Sequence, residues 1–270
     1  MKPILKWAGG KRQLLDEIDK RLPEKFNNYY EPFVGGGSVF IHLQFSGMTV
    51  NDINSELINV YTQIKNNPTR LIKKLKEHKN EEEYYYEIRN KDKDKKKFNK
   101  MSKLDKASRF IYLNRTCFNG LYRENSNGEF NVPFGKYKNP IICDEETIRS
   151  LSKMFKEKNV TFLNEDYLEI IKMAGKDDFV YLDPPYDVVN TTSFTKYSKN
   201  DFSRDDQKKL KEALDELDKR GGKFLLSNAK TDFIEDLYKD YTIDIVKASR
   251  NINSDASGRG KVEEVMVKNY

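Results

Sequence analysis

Short apolar segments alternate with amphipathic helical segments at both ends of the chain. Near the N-terminus, an aromatic strand around residues 29–33 leads through three glycines, 35–37, into the apolar helix SVFIHLQF. After residue 144 come the strands VTFLN, FVYLD, KFLLSN, TIDIVKA and VEEVMVKNY, most of them separated by helical segments. Strands that alternate with helices predict a mostly parallel, doubly wound α/β sheet. The last two strands are joined only by a loop, and we expect them to be antiparallel neighbours.

Residues 61–143 have a different pattern. Helical periodicity is visible in LIKKLKEH, in EEEYYYEIRN and around residues 104–114, and Asn127-Gly128 between short aromatic runs predicts a hairpin. The α/β rhythm returns at Asp144, which is placed to cap a helix. We therefore predict a catalytic and cofactor-binding domain formed by residues 1–60 and 144–270, with a mainly helical domain, residues 61–143, inserted between its halves.

Positive charge is concentrated in that inserted segment. Residues 61–143 hold 20 Lys and Arg against 10 Asp and Glu, a net of +10, whereas the whole chain carries +6 and the remainder −4. A basic insertion in an acidic frame is typical of a module that binds a polyanion. A lysine-rich solvated surface explains the charge equally well, so charge alone leaves both interpretations open.

Composition excludes several classes of protein. The chain has 16 Tyr and 16 Phe, unlike disordered sequences, and no apolar run approaches the ~20 residues that span a bilayer. The basic N-terminus does not resemble a signal peptide, so we expect a cytoplasmic protein without a membrane partner. Two cysteines, Cys117 and Cys143, and two histidines offer no metal-ligand spacing, and we expect no metal site.

The first motif with chemical content is EPFVGGGS, residues 31–38. Glycines between a strand and a helix let the backbone approach a ligand closely. The spacing differs from the G-x-G-x-x-G of nicotinamide-binding folds. Asp52 ends the next strand, where a carboxylate can accept hydrogen bonds from the ribose hydroxyls of a nucleoside cofactor. Capping of the following helix by Asp52 is an equally good interpretation.

The second motif, DPPY at 183–186, directly follows the apolar strand FVYL. Its two prolines stiffen the turn and remove backbone donors. The carboxylate of Asp183 and the carbonyl of Pro184 can then accept both hydrogens of an exocyclic amine, while Tyr186 offers a stacking face to an extruded base. Binding both hydrogens favours a pyramidal nitrogen whose lone pair points at an electrophile. A proline-rich turn at a strand end explains the prolines but not the full set of groups.

Together these motifs resemble the Dam family of adenine-specific DNA methyltransferases, which modify GATC. LKWAGGK at 5–11 looks like the family's N-terminal cofactor motif, EPFVGGGSVF like its glycine loop, and DPPY like its catalytic motif. FNGLYRENSNGEFNVPFGKY looks like its DNA-recognition segment, and RGKVEEVMVKNY like its closing hairpin. The resemblance covers essentially the whole chain, and the lysine-rich run 91–100 matches least.

The resemblance implies roles for individual residues. Asp183, Pro184 and Tyr186 would be catalytic. S-adenosylmethionine would be held by Trp7, Lys11, Gly35, Gly37, Asp52, Asp166 and Asp183, with Asp52 at the ribose and Asp166 at the cofactor's adenine. Simpler interpretations exist, since Trp7 is a plausible core anchor, Lys11 a solvated charge and Asp166 a helix cap.

The recognition segment would contact DNA through Arg115, Phe118, Asn119, Leu121, Arg123, Pro133 and Tyr137. Arg123 is a side chain suited to bidentate reading of guanine O6 and N7, and Phe118 is suited to insertion where the adenine leaves the stack. Arg115, Lys136 and Lys138 are placed to neutralise phosphates. A core aromatic at Phe118 and a surface charge at Arg123 are the competing interpretations.

These observations predict an S-adenosylmethionine-dependent methyltransferase that acts on N6 of adenine in double-stranded DNA, within GATC, by base flipping and direct in-line attack. A cytosine-N4 methyltransferase uses the same amine chemistry, but Asp at the head of the motif resembles the adenine enzymes. The recognition segment argues against an RNA or protein amine methyltransferase. The intact DPPY motif argues against a DNA-binding regulator with an inactive methyltransferase fold. No obligatory protein partner is expected, and a companion restriction endonuclease remains open.

Overall fold

A computed structural model describes residues 1–187, 202–249 and 261–270. The polar run from Asp187 to Asn200, which the sequence predicts to be a loop, lies outside the described residues except for Asp187. The first two residues of the RGKVEEVMVKNY segment lie outside them as well. The described strands are β1 (Tyr29–Glu31), β2 (Met48–Asn51), β3 (Thr161–Leu163), β4 (Phe179–Leu182), β5 (Lys223–Ala229), β6 (Thr242–Ser249) and β7 (Lys261–Lys268). The described α-helices are α1 (Leu15–Asp19), α2 (Ser38–Leu43), α3 (Ser55–Asn66), α4 (Pro68–Lys76), α5 (Glu82–Arg89), α6 (Lys95–Lys100), α7 (Lys103–Thr116), α8 (Glu145–Glu157), α9 (Tyr167–Met173), α10 (Arg204–Lys219) and α11 (Asp232–Leu237).

The strands form one mostly parallel sheet in the order β3-β2-β1-β4-β5-β7-β6. The pairs from β3 through β5 are parallel, and β7 is antiparallel to both β5 and β6. The predicted doubly wound sheet and antiparallel last two strands are therefore confirmed. The chain runs outward from β1 in one direction and from β4 in the other, so the sheet changes direction between these two strands.

Side chains on the two faces of the sheet enter separate cores. Along β4, Phe179 and Tyr181 belong to one core, whereas Val180 and Leu182 belong to the other. The first core is covered by α2, α3, α4 and α8, and the second by α9, α10 and α11. All four residues of β4 are buried, as expected for a central parallel strand with helices on both faces.

Capping side chains fix where several helices begin. Asp144 accepts a hydrogen bond from Thr147 N at the start of α8, as its position predicts. Ser203 and Asp206 form a capping box at the start of α10. Because Gln207 of α10 donates to Pro185 O, this cap helps fix the position of the helix beside the DPPY turn.

The boundary predicted between residues 60 and 61 falls inside α3. Tyr61 and Ile64 continue the buried face of that helix, and Leu71 and Leu75 of α4 pack into the same core. A smaller core joins α5 and α7 to the segment 117–132 and includes Tyr85, Tyr112 and Phe130. Packing therefore assigns α3 and α4 to the α/β body, because charge changes at residue 61 but the apolar helix face does not.

Candidate active site

The glycine loop and the DPPY turn meet at the carboxyl edge of the sheet. The loop follows β1 and the turn follows β4, and these neighbouring parallel strands flank the point where the strand order reverses. Ligands of open α/β sheets bind in the crevice at such a point, outside the carboxyl ends of the strands. The sheet therefore brings together two motifs that are far apart in the sequence.

The glycines at 35–37 allow close packing around Trp7. A Cβ added to Gly35, whose φ is +47°, would lie 2.9 Å from Trp7 Cδ1, and one added to Gly36 would lie 2.6 Å from Trp7 Cβ. Gly37 has φ +75° and begins α2, where a side chain would meet Phe40. Larger residues would push the loop away from Trp7.

Trp7 also connects this loop to the inserted helices. Its ring stacks on Tyr122 and Phe110, with centroids 5.6 and 6.4 Å apart. Trp7 therefore packs as a core anchor, but it is only partly buried, so part of its ring remains exposed beside the glycine loop.

Asp52 connects the end of β2 to the glycine loop. Its Oδ2 accepts from Gly35 N and its Oδ1 from Asn54 N, both at 2.9 Å. The N-cap of α3 is Asn54, which accepts from Leu57 N, and not Asp52. Burial raises the pKa of Asp52 above its ordinary value, while the two backbone donors oppose that rise. The carboxylate is therefore a component of the crevice wall.

Asp166 caps α9 by accepting from Leu168 N at 2.8 Å. It follows β3, and its neighbour Asn164 donates to the carbonyls of Asp52 and Ile53. Asp52 and Asp166 thus lie on connected loops at one edge of the sheet. Ile53 between these loops is 74% exposed, an apolar surface that the sequence analysis missed.

The most concentrated polar contacts surround Asp183. Lys11 Nζ lies 2.7 Å from Asp183 Oδ1, donates to Gly9 O, and lies 4.6 Å from the centre of the Tyr186 ring. Tyr186 donates its hydroxyl hydrogen to Glu264 Oε2 at 2.6 Å. Burial raises the pKa of Asp183, the ammonium of Lys11 lowers it, and the nearby Glu264 raises it. The solvated-charge interpretation of Lys11 does not fit, because its side chain is 6% exposed.

Two buried carboxyl groups were missed from the sequence. Glu264 on β7 is the acceptor for Tyr186. Glu31 ends β1, accepts from Tyr29 OH at 2.7 Å, and has a pKa raised to about 8, chiefly by burial. Glu31 stands at the head of the glycine motif, which is a signal that could have drawn attention to it. Nothing in the spacing around Glu264 indicates that it reaches Tyr186.

The two proline carbonyls of the turn have different surroundings. Pro185 O accepts from Gln207 Nε2 at 2.9 Å. Within residues 1–187, 202–249 and 261–270, no donor reaches Pro184 O. Among the described residues, one carbonyl of the stiff turn is therefore bound by a side chain, and the carbonyl that follows Asp183 is not.

The predicted recognition segment presents several residues on the surface of the inserted module. Phe118 is 51% exposed, and Asn119 next to it has φ +54° in a tight turn. Phe118 N donates to Pro133 O, which places the exposed Pro133 beside this turn. Leu121 is partly buried and ends the same turn.

Arg123 lies on the hairpin that follows. Glu124 and Phe130 form an antiparallel bridge, and Gly128 turns the chain with φ +69°. Arg123 Nε donates to Asn131 Oδ1 at 2.7 Å across this hairpin. Asn131, which the sequence analysis missed, therefore orients the guanidinium of Arg123. Among the described residues, the two terminal nitrogens of Arg123 have no hydrogen-bond partner.

The remaining predicted DNA contacts have less uniform surroundings. Tyr137 lies under Lys6 Nζ, 4.6 Å from its ring centre, and Lys136 and Lys138 are exposed. Arg115 is half-buried at the end of α7, and burial lowers its pKa. Its Nε is a buried atom without a hydrogen-bond partner among the described residues.

One short segment, residues 6–11, joins the recognition segment to the crevice. The Lys6 backbone exchanges hydrogen bonds with the Asn114 side chain on α7, and a Cβ on Gly120 would collide with the Lys6 side chain. Trp7 contacts the glycine loop, and Lys11 contacts Asp183. Residues 6–11 therefore contact both the recognition turn and the residues around Asp183.

Comparison with known proteins assigns the family. Residues 7–252 match the family model described as D12 class N6 adenine-specific DNA methyltransferase. The chain belongs to this family. The resemblance and the adenine-N6 DNA methyltransferase activity predicted from the sequence are thereby confirmed.

Individual relatives of this D12 class enzyme are similar along their whole length. The type II methyltransferase M1.LlaDCHI of Lactococcus lactis subsp. cremoris is 44% identical over 273 residues, covering 100% of this chain and 96% of that protein. The type II methyltransferase M.MjaIII of Methanocaldococcus jannaschii is 42% identical, covering 100% and 99%. The DNA adenine methylase of Vibrio cholerae is 39% identical, covering 98% and 94%.

The described part of the D12 class enzyme holds no cluster of three or more His, Cys, Asp or Glu side chains that could bind a metal ion. No helix among the described residues is both long enough and apolar enough to cross a membrane.

Proposed function

We propose that this methyltransferase transfers the methyl group of S-adenosylmethionine to N6 of an adenine flipped out of duplex DNA, within GATC. The observation that carries this proposal is the pair of acceptors at the carboxyl edge of the sheet. The ammonium of Lys11 contacts both Asp183 Oδ1 and the Tyr186 ring, so these two residues of the turn face the same group. The Pro184 carbonyl follows Asp183 directly in the chain, at the edge where the glycine loop leaves the neighbouring strand β1. An exocyclic amine on an aromatic ring is the ligand that fits such a set.

The residues of the crevice fit a nucleoside with a charged amino-acid tail. The glycine loop packs so closely on Trp7 that a Cβ at Gly35 would collide with it, which leaves backbone as the ligand-facing surface. Asp52 offers a carboxylate for ribose hydroxyls, and the exposed Ile53 offers an apolar surface to a purine. Asp166 is placed on the adjoining loop. When bound, S-adenosylmethionine supplies the electrophilic methyl group.

Asp183 and Pro184 then act on the amine. The nitrogen of an adenine N6 amine is a poor nucleophile because its lone pair is delocalised into the ring. Two acceptors that hold both hydrogens favour a pyramidal nitrogen and direct the lone pair toward the methyl donor. Asp183 accepts most strongly when it is ionised, and Lys11 favours the ionised form by lowering its pKa. Positioning of the two reactants supplies most of the catalytic effect.

We further propose that the segment from α5 to residue 143 is the recognition module. Its basic surface supplies sequence-independent attraction to phosphates. Phe118 is exposed enough to enter the stack, and Arg123, oriented by Asn131, is able to bind one guanine bidentately. Arg115, Lys136 and Lys138 are proposed phosphate contacts, and Asn119, Leu121, Pro133 and Tyr137 are proposed neighbours of the bases or backbone.

The proposed sequence specificity is tested in a host without DNA methylation. Plasmid DNA from cells that express the protein should resist a nuclease blocked by adenine methylation in GATC, and should still be cut by one that ignores it. Mass spectrometry of the DNA nucleosides should show N6-methyladenine. N6-methyladenine in DNA whose GATC sites remain fully cleavable would reject GATC while leaving the activity intact. The type II names of two relatives suggest a companion endonuclease, which restriction activity in the source cells would test.

A further inference from the structure

Two buried amide side chains bind the backbone of the DPPY turn and of the residue that follows it. Gln207 on α10 is 1% exposed, and Asn228 at the end of β5 is fully buried. Gln207 Nε2 donates to Pro185 O at 2.9 Å, and Asn228 Nδ2 donates to Gln207 Oε1 at 3.1 Å. Asn228 Oδ1 accepts from Asp187 N at 3.2 Å and from Ala229 N at 2.8 Å. The two side chains therefore join residue 185 to residue 187 through a closed chain of hydrogen bonds.

The direction of each amide in this chain is fixed by its neighbours. Asn228 Oδ1 faces two backbone N–H groups, so the opposite side of this amide must donate. Pro185 O can only accept, so Gln207 must present its nitrogen there and its oxygen to Asn228. Rotating either amide by half a turn would oppose two acceptors or two donors in a buried site, which costs free energy for each lost partner.

The far end of the turn is held by charge. Arg204 Nε and a terminal nitrogen donate to the two carboxylate oxygens of Asp187 at 3.0 and 3.1 Å, and Thr231 Oγ1 donates to Oδ2 at 2.9 Å. The protein thus binds the turn at residue 185 and at residue 187, through Gln207, Asn228, Arg204 and Thr231. These bonds fix the backbone on the C-terminal side of Pro184, whereas no donor among the described residues reaches the Pro184 carbonyl itself.

We infer that Gln207 and Asn228 are positioning residues for the amine-binding turn: they set the direction of the Pro184 carbonyl relative to the Asp183 carboxylate. The inference rests on the proposed role of Asp183 and Pro184 as amine acceptors. Neither amide touches the substrate. Their contribution is to hold two acceptors at one nitrogen, and a misplacement of about 1 Å at such a site can cost roughly 100-fold in rate.

The isosteric variants Asn228→Asp and Gln207→Glu test this directly. Each replaces the donating nitrogen with an oxygen that faces an acceptor, Gln207 Oε1 in the first variant and Pro185 O in the second. When the new carboxyl is protonated, it donates and restores the chain of bonds. When it is ionised, the chain is broken. Burial and the facing acceptor raise the pKa of the new acid, so each variant should be active at about pH 6 and lose activity as pH rises to about pH 9.

The expected readout is the single-turnover rate of methyl transfer under saturating cofactor and DNA. In both variants this rate should fall by roughly 10- to 100-fold at the upper end of the pH range, with the KM for cofactor changed by less than about threefold. The wild-type protein has amides at these positions and should show no such loss. Activity in the variants should return when the pH is lowered again, which separates a titration from irreversible unfolding.

Asn269→Asp is the matched control. Asn269 Oδ1 accepts from Phe224 N, and its Nδ2 donates to Gly222 O, at the opposite end of β5. Its Nδ2 also donates to Asp218 Oδ1 at 2.6 Å. The same amide-to-acid change there breaks bonds to a carbonyl and a carboxylate far from the turn, and it should lower stability without a pH-dependent loss of transfer. An equal loss in Asn269→Asp, or flat pH profiles in Asn228→Asp and Gln207→Glu, would overturn the inference. Asp183→Ala, assayed in parallel, reports separately on the proposed function: if it stays active, the amine-acceptor role itself fails.

Discussion

The ammonium of Lys11 and the carboxylate of Asp183 form an ion pair of 2.7 Å at the carboxyl edge of the sheet. The pair is largely removed from solvent, and the Lys11 ammonium also faces the Tyr186 ring. A buried carboxyl is otherwise driven toward its neutral form, which is a weaker acceptor for an amine hydrogen than the carboxylate. Lys11 therefore serves the ionisation of Asp183 as well as the packing of the crevice.

Lys11→Met should shift the pH dependence of methyl transfer. Removing the ammonium removes the main influence that lowers the pKa of Asp183, while burial and Glu264 still raise it. The pKa of Asp183 then rises, so the active ionised fraction at a given pH falls, and activity should return as pH increases. Single-turnover rates measured across pH should show that the rise in activity occurs at a higher pH than in the wild-type protein. Lys65→Met, which removes an ammonium bonded to Val160 O, is the control and should leave the profile unchanged.

Asp52→Ala should weaken binding of S-adenosylmethionine by about 1–3 kcal/mol, the cost of leaving buried hydrogen-bonding groups unpaired. The change also frees Gly35 N from its acceptor. Isothermal titration with the cofactor or its demethylated product measures the effect. Asn54→Ala should instead lower stability by about 1 kcal/mol through loss of the α3 cap, with affinity retained. Unchanged affinity of Asp52→Ala for S-adenosylmethionine would show that Asp52 does not bind the cofactor.

Arg123→Ala should relax sequence choice more than it lowers overall DNA affinity. Its Nε is bound to Asn131, so the terminal nitrogens are held in one direction, and a bidentate contact to guanine is worth about 1–3 kcal/mol of discrimination. Methylation rates on GATC and on sites with the guanine replaced, each at two salt concentrations, measure this.

The comparison variant for Arg123→Ala is Lys96→Gln on the exposed, lysine-rich α6. Loss of a phosphate contact weakens binding to all DNA sequences equally and reduces the salt slope by about one. Lys96→Gln should therefore keep the ratio between sites. If Arg123→Ala also keeps that ratio and alters only the salt dependence, Arg123 is a backbone contact and another residue reads the guanine.

Local patterns predicted the α/β architecture well because strand, turn and helix signals are short-range. FVYL followed by DPPY indicates a buried parallel strand with a stiff turn at its carboxyl end, and β4 has that form. The short connection before β7 predicts its antiparallel pairing. The module boundary at residue 61 followed charge, whereas the buried face of α3 continues through Tyr61 and Ile64.

Contacts within the site were less predictable because they join distant segments. Asp52 and Asn54 are both able to cap α3, and only the backbone path shows that Asn54 does so. Glu264 reaches Tyr186 from another strand, and Gln207 meets Asn228 between a helix and a strand. No periodicity relates these pairs, so the sheet order and helix packing must be known first.

The central claim is that Asp183 and the Pro184 carbonyl hold the amine of the flipped adenine. The most direct test is the single-turnover rate of methyl transfer to a GATC duplex by Asp183→Ala, with DNA and cofactor binding measured on the same preparation. The account predicts a fall of at least roughly 100-fold, the scale of losing one preorganised electrostatic contact, with DNA affinity retained. Transfer at close to the wild-type rate by a variant that binds both substrates would contradict it.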